Sequence, residues 1–323
     1  MRILISPSGN LYGSENVLFD YIINSELDFD YFFVPKVSLF QEKLTQRKVR
    51  SIGFKKVVYL YLQVFFILLK KPAIIYCNEA GHFRYLNLLA RIFKKSSFII
   101  HVRILEDCQR LNHYHVSSNM KLIVVSNFLA KNLNKWCEVI HDGFHFERLE
   151  VFQLNKPSVN VGIVGRVTNS KGIHHLIELL KLGNPNVRFH LFGHMDSNLP
   201  QVIKNKLESD SRIIFHDFIQ NKTEIYQSVD LLLHLNEKEP LGRIFFEALD
   251  FGVPIIGFNH GGIGEIGNIV EYPYLVDSND YVKLMDYIQY LNFSPELLLK
   301  ARLRAQQFFS INKYVLKVDA LLK

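Results

Sequence analysis

The stretch DLLLHLNEKEPLGRIFFEALDFGVPIIGF, Asp230 to Phe258, reads as strand, loop, helix and strand in succession. DLLLHL is a short apolar run of strand length that ends near Leu235, and a loop carrying Glu237 and Glu239 follows it. Gly242 gives way to a helix that must stop by Gly252, before the strand opened by Pro254. The same alternation runs outward in both directions. Strand-like runs RILIS, YFFVP, AIIYCN, SFIIHV, LIVVSN and EVIHDG precede a polar break, and VNVGIVG, RFHLFG, RIIFHD, DLLLHL, PIIGFN and PYLVD follow it. Near-continuous apolar strands separated by helices imply parallel sheets covered on both faces, so the fold class is α/β with two doubly wound, Rossmann-like domains. The break itself, ERLEVFQLNKPSVN, places a linker near residues 150–158, with domains at 1–152 and 153–304. Two such domains in tandem predict an active site between the carboxyl ends of their sheets.

Length agrees, since 323 residues at roughly 150 per domain make two. The chain is 48% hydrophobic and 21% charged, enough apolar material for ordinary globular cores. Met1 leads straight into a strand-like run rather than a charged region followed by a long apolar one, which predicts a cytoplasmic protein. Cys77, Cys108 and Cys137 are three, with gaps of 31 and 29 residues, a count and spacing that fit neither a disulfide framework nor a zinc knuckle.

Charge is unevenly spread. Residues 1–150 hold 20 Lys+Arg against 13 Asp+Glu, and the remainder holds 18 against 18 (38 − 20 and 31 − 13), so the whole excess of +7 lies in the first half. Between Lys36 and Lys71 there are nine Lys/Arg and one acid, Glu42, around the 13-residue apolar run VVYLYLQVFFILL. That run is short of the roughly 20 residues a spanning helix needs. It predicts a helix buried on one side, with region 36–71 offering a cationic surface to an anionic membrane. No recognition motif accompanies these cations, so no nucleic acid partner is expected.

Three further patterns bear on chemistry. VNVGIVGRVTNSKG is a strand ending at Gly165, then Arg166 and, five positions on, Lys171-Gly172 opening a helix: two cations beside free helix N–H groups suit an anion, although many such loops carry an Arg and a Lys merely for solvation, and the motif alone favours that reading. In EPLGRIFFE the N–H groups of Leu241, Gly242 and Arg243 lie between Glu239 and Glu247; phosphate suits those donors and sugar hydroxyls suit the acids. Gly262, Gly264 and Gly267 form GxGxxG, but the next strand begins too soon for a dinucleotide fingerprint. The reading here is a glycine loop near a bound phosphate or sugar, with Gly262 and Glu265 as contacts. Asp28-Phe29-Asp30 has the DxD form of a metal site, yet fits a plain turn better, and no histidine pair has helical metal spacing; no cofactor and no essential metal are expected.

GRVTNSKG, EPLGRIFFEALDFGVPII and NHGGIGEI together resemble the donor-binding signature of glycosyltransferase family 4, retaining enzymes of the GT-B fold. VVSNFLAKNL, VIHDGFHFERL and YGSEN extend the resemblance over most of the chain in the expected order. It implies that Arg166 and Lys171 grip the donor diphosphate and offset charge on the leaving group. Glu247 would hold the ribose and Glu239 the donor sugar. Gly13 would let backbone approach phosphates or acceptor, and His101 would face the reaction centre. Arg103 and Glu106 match positions often polar in the family, without an assigned role, and Asp142 stands where members tend to carry Asn. In similar proteins the last helix, here from about Pro295 and in particular residues 305–323, packs back on the first, acceptor-side domain.

The expected activity is therefore metal-independent, retaining transfer of a hexosyl unit from a UDP- or GDP-sugar to a hydroxyl of a membrane-associated glycan or lipid-linked acceptor. The setting would be bacterial surface polysaccharide or lipopolysaccharide synthesis, with the enzyme peripheral on the inner face of the membrane. No carboxylate is placed as a nucleophile for double displacement, so departure and attack on one face are expected. A nucleotide-sugar epimerase and a non-catalytic nucleotide-sugar-binding protein on the same fold are the alternatives; EPLGRIFFE argues against the first.

Overall fold

The computed structural model describes residues 1–148, 159–219 and 221–323; the linker read at 150–158 lies outside the described residues. The chain divides into two compact units: Met1–His145 with Phe309–Lys323, and Phe146–Phe308.

In the first unit the strands are β1 (Arg2–Ile5), β2 (Tyr31–Pro35), β3 (Ile52–Phe54), β4 (Ile74–Cys77), β5 (Ser97–Val102), β6 (Met120–Val124) and β7 (Glu138–Val139). They make one parallel sheet in the order β3-β2-β1-β4-β5-β6-β7. Its helices are α1 (Gly13–Asn24), α2 (Leu39–Gln46), α3 (Val57–Lys70), α4 (Phe83–Ile92), α5 (Leu105–Asn112) and α6 (Asn127–Asn132). Strand side chains alternate between faces. Leu4, Phe32, Val34, Tyr76, Ile99 and Ile123 point to one side, where Val17, Leu18 and Tyr21 of α1 and Phe40 and Leu44 of α2 cover them. Strand β3 has no counterpart in the sequence reading. It is a three-residue edge strand, IGF, interrupted by glycine and too short to carry a period.

The second unit repeats the plan with β8 (Val159–Val164), β9 (Val187–Phe192), β10 (Ile213–His216), β11 (Leu231–His234), β12 (Ile255–Phe258) and β13 (Leu275–Val276). These form a parallel sheet in the order β10-β9-β8-β11-β12-β13. Helices α7 (Ile173–Lys181), α8 (Gln201–Ser209), α9 (Lys222–Gln227), α10 (Arg243–Asp250), α11 (Gly261–Val270), α12 (Tyr281–Tyr290) and α13 (Pro295–Phe309) accompany it. The order reverses at β8 and β11, which lie side by side with their carboxyl ends together. That is where open α/β sheets bind ligands.

The chain end is two helices rather than one. Ser310 takes extended backbone (φ −62°, ψ 147°), so α13 stops and α14 (Ile311–Leu322) starts anew. Phe144 and Ser310 form a parallel bridge, with Phe144 N–H donating to Phe309 O at 2.8 Å and Ile311 N–H to Phe144 O at 3.0 Å. Helix α14 then packs on α1 and adds Ile311, Tyr314, Val315, Val318 and Leu322 to the core over the sheet. Within that apolar layer, Tyr21 OH donates to Asp319 Oδ1 at 2.7 Å and Ser25 OH to the same oxygen at 2.8 Å.

Removing the carboxylate strands a hydroxyl that is wholly out of water. Asp319→Ala should therefore destabilise the first unit by about 1–3 kcal/mol, read as a lower urea midpoint. Tyr21→Phe combined with Asp319→Ala should cost less than the sum of the two single changes.

Candidate functional site

Strand β8 ends in Gly165, whose φ of 127° lets the chain turn at once. Arg166 follows, exposed, and Lys171 closes a short 3-10 turn, Asn169–Lys171, ahead of α7. Beside it, β11 ends at His234, and Leu235 and Asn236 follow. A pocket opens between the two strand ends, lined by Gly165, Arg166, Thr168, Lys171, His234 and Leu235 among others. Glu239 reaches back to its rim. Lys171 Nζ donates to Glu239 Oε2 at 2.7 Å and Asn236 Nδ2 to the same oxygen at 2.7 Å, with His234 Nε2 at 3.8 Å.

These neighbours set the protonation states. Burial pushes the Glu239 carboxyl up, but Lys171, His234 and the hydrogen bonds from Lys171 and Asn236 outweigh it and hold the group below the usual carboxylate range. Burial lowers His234 from 6.5 to about 4, against the pull of Glu239, so its ring is neutral at physiological pH. The rim thus carries an ionised acid neutralised by one lysine, with Arg166 as a second cation.

Helix α10 supplies the other acid. Its N-cap, Gly242, sits at φ 93°, and a Cβ there would lie 2.3 Å from Ile263 Cδ1. Glycine is required on both counts. Leu241, Gly242 and Arg243 form the helix N-terminus, and Glu247 stands just over one turn in, on the side away from the buried Phe245 and Phe246. Lys222 Nζ holds Glu247 Oε1 at 2.6 Å, and Tyr226 OH donates to Oε2 at 3.0 Å. Tyr226 is fixed in turn by stacking on Phe251, ring centres 4.5 Å apart.

The glycine loop read at GxGxxG is a helix instead. Gly262, Gly264 and Gly267 lie buried within α11, and Glu265 stands on that helix. A Cβ at Gly262 would sit 2.3 Å from Leu241 Cα, at Gly264 2.7 Å from the Asn259 carbonyl carbon, and at Gly267 2.4 Å from Leu275 Cδ1. The glycines allow close packing: Gly262 lets α11 press against the loop ahead of α10, where its N–H donates to Glu239 O at 2.7 Å, while Gly264 and Gly267 bring the helix against Asn259 and Leu275.

Gly13 and His101 belong to the first unit. Gly13 opens α1, where Tyr12 N–H donates to Glu15 Oε2 at 3.1 Å. His101, on β5, is fully buried in a polar network. Arg103 pairs with both oxygens of Asp142 at 2.6 and 2.7 Å, and donates to Asn78 O, Asn78 Oδ1 and Tyr314 OH. Its Nη2 also meets His101 Nδ1 at 3.1 Å, and Tyr76 OH meets the same nitrogen at 2.8 Å. A guanidinium only donates. Nδ1 therefore accepts, and Nε2 carries the proton of the neutral ring. Burial, then the Arg103 charge, hold His101 well below its ordinary pKa. Its Nε2 has no partner among the described residues, so the ring is a hydrogen-bond donor rather than a base.

Sequence reasoning missed the groups that hold the acids. Asn236 was readable as a further polar residue in the loop of Glu237, Lys238 and Glu239. Lys222 and Tyr226 lie 25 and 21 residues before Glu247, and Tyr314 lies 211 residues from Arg103, separations that no local pattern spans. Asp28 and Asp30 sit in the segment leading into β2, where Asp30 Oδ2 accepts from Arg2 N–H at 2.7 Å.

The family model described as "Glycosyl transferases group 1" matches residues 147–308. The chain belongs to this family. Among curated relatives, this group 1 glycosyltransferase is 36% identical over 86 residues to N-acetyl-alpha-D-glucosaminyl L-malate synthase of Bacillus anthracis, covering 27% of this chain and 22% of that one. It is 22% identical over 195 residues to the capsular polysaccharide biosynthesis glycosyltransferase CapM of Staphylococcus aureus, covering 54% and 50%. It spans between 22% and 56% of the length of the curated relatives it matches. Among solved structures it superposes on Anabaena HepE in complex with UDP and glucose with a TM-score of 0.79 at 18% identity, over 100% of this chain and 99% of that one. The lipopolysaccharide outer core galactosyltransferase WaaB gives 0.70 at 15%, over 99% and 98%. Both likenesses are of fold: two parallel-sheet, Rossmann-like domains of the GT-B kind.

A base whose pKa is lowered in the folded state adds stability above its unfolded pKa and loses it as pH falls. His234 shifts from 6.5 to about 4, so the window is pH 6.5 to 4. The unfolding free energy should drop with acid across that window, and His234→Gln should remove up to about 1.4 kcal/mol per pH unit of the slope. Urea unfolding at a series of pH values reads this directly.

Proposed function

We propose that this glycosyltransferase moves a hexosyl group, with retention of configuration and without an essential metal, from a UDP- or GDP-sugar to a hydroxyl of a membrane-associated glycan or lipid-linked acceptor. The setting is the synthesis of a surface polysaccharide or lipopolysaccharide. The observation that carries the reading is the meeting of Arg166, Lys171 and Glu239 at the paired ends of β8 and β11. The names of CapM and WaaB, and the solved complexes of HepE with UDP and with UDP-glucose, support the same class.

In the reaction the bond between the anomeric carbon and the diphosphate oxygen breaks, and the acceptor oxygen bonds to that carbon. The acceptor proton passes to the departing diphosphate. Arg166 and Lys171 oppose the charge that grows on this leaving group, which is where fixed cations lower a barrier. Lys171 is already held at 2.7 Å by Glu239. A phosphate that draws the ammonium across frees the carboxylate for the hydroxyls of the donor sugar. Glu247, fixed by Lys222 and Tyr226, takes the ribose hydroxyls as an acceptor of two hydrogen bonds. His101, protonated at Nε2, donates and does not remove a proton. Attack and departure share one face, which retains configuration without a carboxylate nucleophile.

At UDP or GDP one hundred times Kd, mass action adds about 2.7 kcal/mol, which raises the melting midpoint by roughly 5–10 °C. Arg166→Ala and Glu247→Gln should each shrink that rise. No rise with either nucleotide would end the reading. The anomeric configuration of the product, by NMR, tests retention, and an unchanged rate in EDTA tests metal independence.

A further inference from the structure

Helix α3 presents two contrasting faces. Leu60, Tyr61, Val64 and Leu68 are buried, and the helix packs beside β3. On the opposite side Val58, Tyr59, Leu62, Phe66 and Leu69, spaced by one, three, four and three residues, form one stripe in which every side chain is between 47% and 61% exposed. Helix α4 lies beside it: Tyr61 stacks on Tyr85 with ring centres 4.9 Å apart, and Phe65 meets Phe93 edge-on at 5.3 Å. Helix α4 also turns apolar groups outward, Tyr85, Leu88 and Ile92, each more than 40% exposed. The two helices make one open apolar face.

The surround of that face is cationic. Lys55 and Lys56 precede α3, Lys70 and Lys71 end it, Arg84 and Arg91 lie on the outer side of α4, and Lys94 and Lys95 follow; all eight are exposed. Against these eight, residues 55–95 contain a single acid, Glu79. That acid is turned inward, accepting from Ser14 OH at 2.5 Å. None of the eight cations is in an ion pair among the described residues. Ordinary surfaces scatter single apolar residues among mixed charges. This one joins eight apolar side chains inside a rim of one sign.

We infer that the α3–α4 face is where the enzyme lies on an anionic lipid bilayer, apolar stripe in the interface and lysines against the headgroups. This deepens the acceptor side of the proposed function and rests on the acceptor being membrane-associated. The occupant is set by charge and length. A second copy docked on the same face would bring two cationic rims together, because a two-fold interface uses the same patch on both partners. No helix among the described residues is long and apolar enough to cross a membrane. The 14 residues of α3 cover about 21 Å along the surface rather than through it. The face also differs from region 36–71 as read from sequence: α4 and Lys94-Lys95 join it, while Lys43 is turned to Asn16 and the Phe19 ring.

Cosedimentation of the full chain with phosphatidylcholine vesicles, alone or mixed equally with phosphatidylglycerol, tests the inference. Binding should appear with the mixed vesicles, be nearly absent with phosphatidylcholine and weaken in added salt. Arg91→Glu with Lys95→Glu, and separately Phe66→Ser with Leu69→Ser, should each lower partitioning by at least about tenfold. All four side chains are exposed, so the nucleotide-induced rise in melting midpoint should be unchanged and reports that each variant folds. No binding to anionic vesicles, equal binding to both vesicles, or binding untouched by both variants overturns the inference. A dimer in sedimentation velocity that Phe66→Ser dissolves would assign the face to a second copy and overturn it too. If vesicles bind but no nucleotide shifts the midpoint, the donor reading falls and the docking face stands; the reverse pattern keeps the donor reading alone.

Discussion

A parallel sheet buried on both faces leaves polar chemistry only one place to go. Side chains along β11 and β12 are almost wholly buried, so a charged group carried by those strands reaches solvent where they end. In the second unit the strand order turns back between β8 and β11. Helices leaving those two strands diverge, and the gap they leave is the pocket carrying Arg166 and Lys171. Glu239, Glu247 and the glycines of α11 follow from the same geometry. Each lies in the first loop or helix after a strand, and the close contacts of Gly262 and Gly267 hold α11 where the Glu239 loop can lean on it.

Much of this was legible in the chain. Twelve strand-like runs stand out because buried parallel strands must be apolar almost throughout, and all twelve are strands in the structure. The motif around Glu239 and Glu247 could be placed because strand, loop and helix follow one another within a few residues. What escaped the reading shares a cause. Strand β3 is three residues long and lies at the sheet edge, where its pairing with β2 rather than its own pattern makes it a strand. GxGxxG looked like a loop because glycine is a poor helix former in isolation. The cost is outweighed where any larger residue would collide with a neighbouring segment, the loop ahead of α10 at Gly262, Asn259 at Gly264 and Leu275 at Gly267. Ser310 breaks a run that reads as one helix, since the bridge to Phe144 is invisible from the run itself.

The buried groups show the same limit. Arg103 matches a position often polar in the family, but its role depends on Asp142, Asn78 and Tyr314, brought from three other parts of the first unit. An isolated guanidinium at that depth would be prohibitively costly. Paired and hydrogen-bonded it becomes a rigid donor that fixes which nitrogen of His101 bears hydrogen. Glu239 and Lys171 form the looser counterpart in the second unit, with Lys171 still part-exposed and therefore able to exchange partners.

The first unit is built from residues 1–145 and 309–323, and this has a consequence for synthesis. Chains leave the ribosome from the amino end, and domains generally fold as units as they emerge. The sheet of the first unit is made early, yet the layer that seals it over Tyr21, Tyr76 and Ile99 arrives with α14, after the whole of the second unit has been translated. Until then an apolar surface waits open in the nascent protein. That interval is a natural window for a chaperone, and the codons of α14 decide whether the first unit closes.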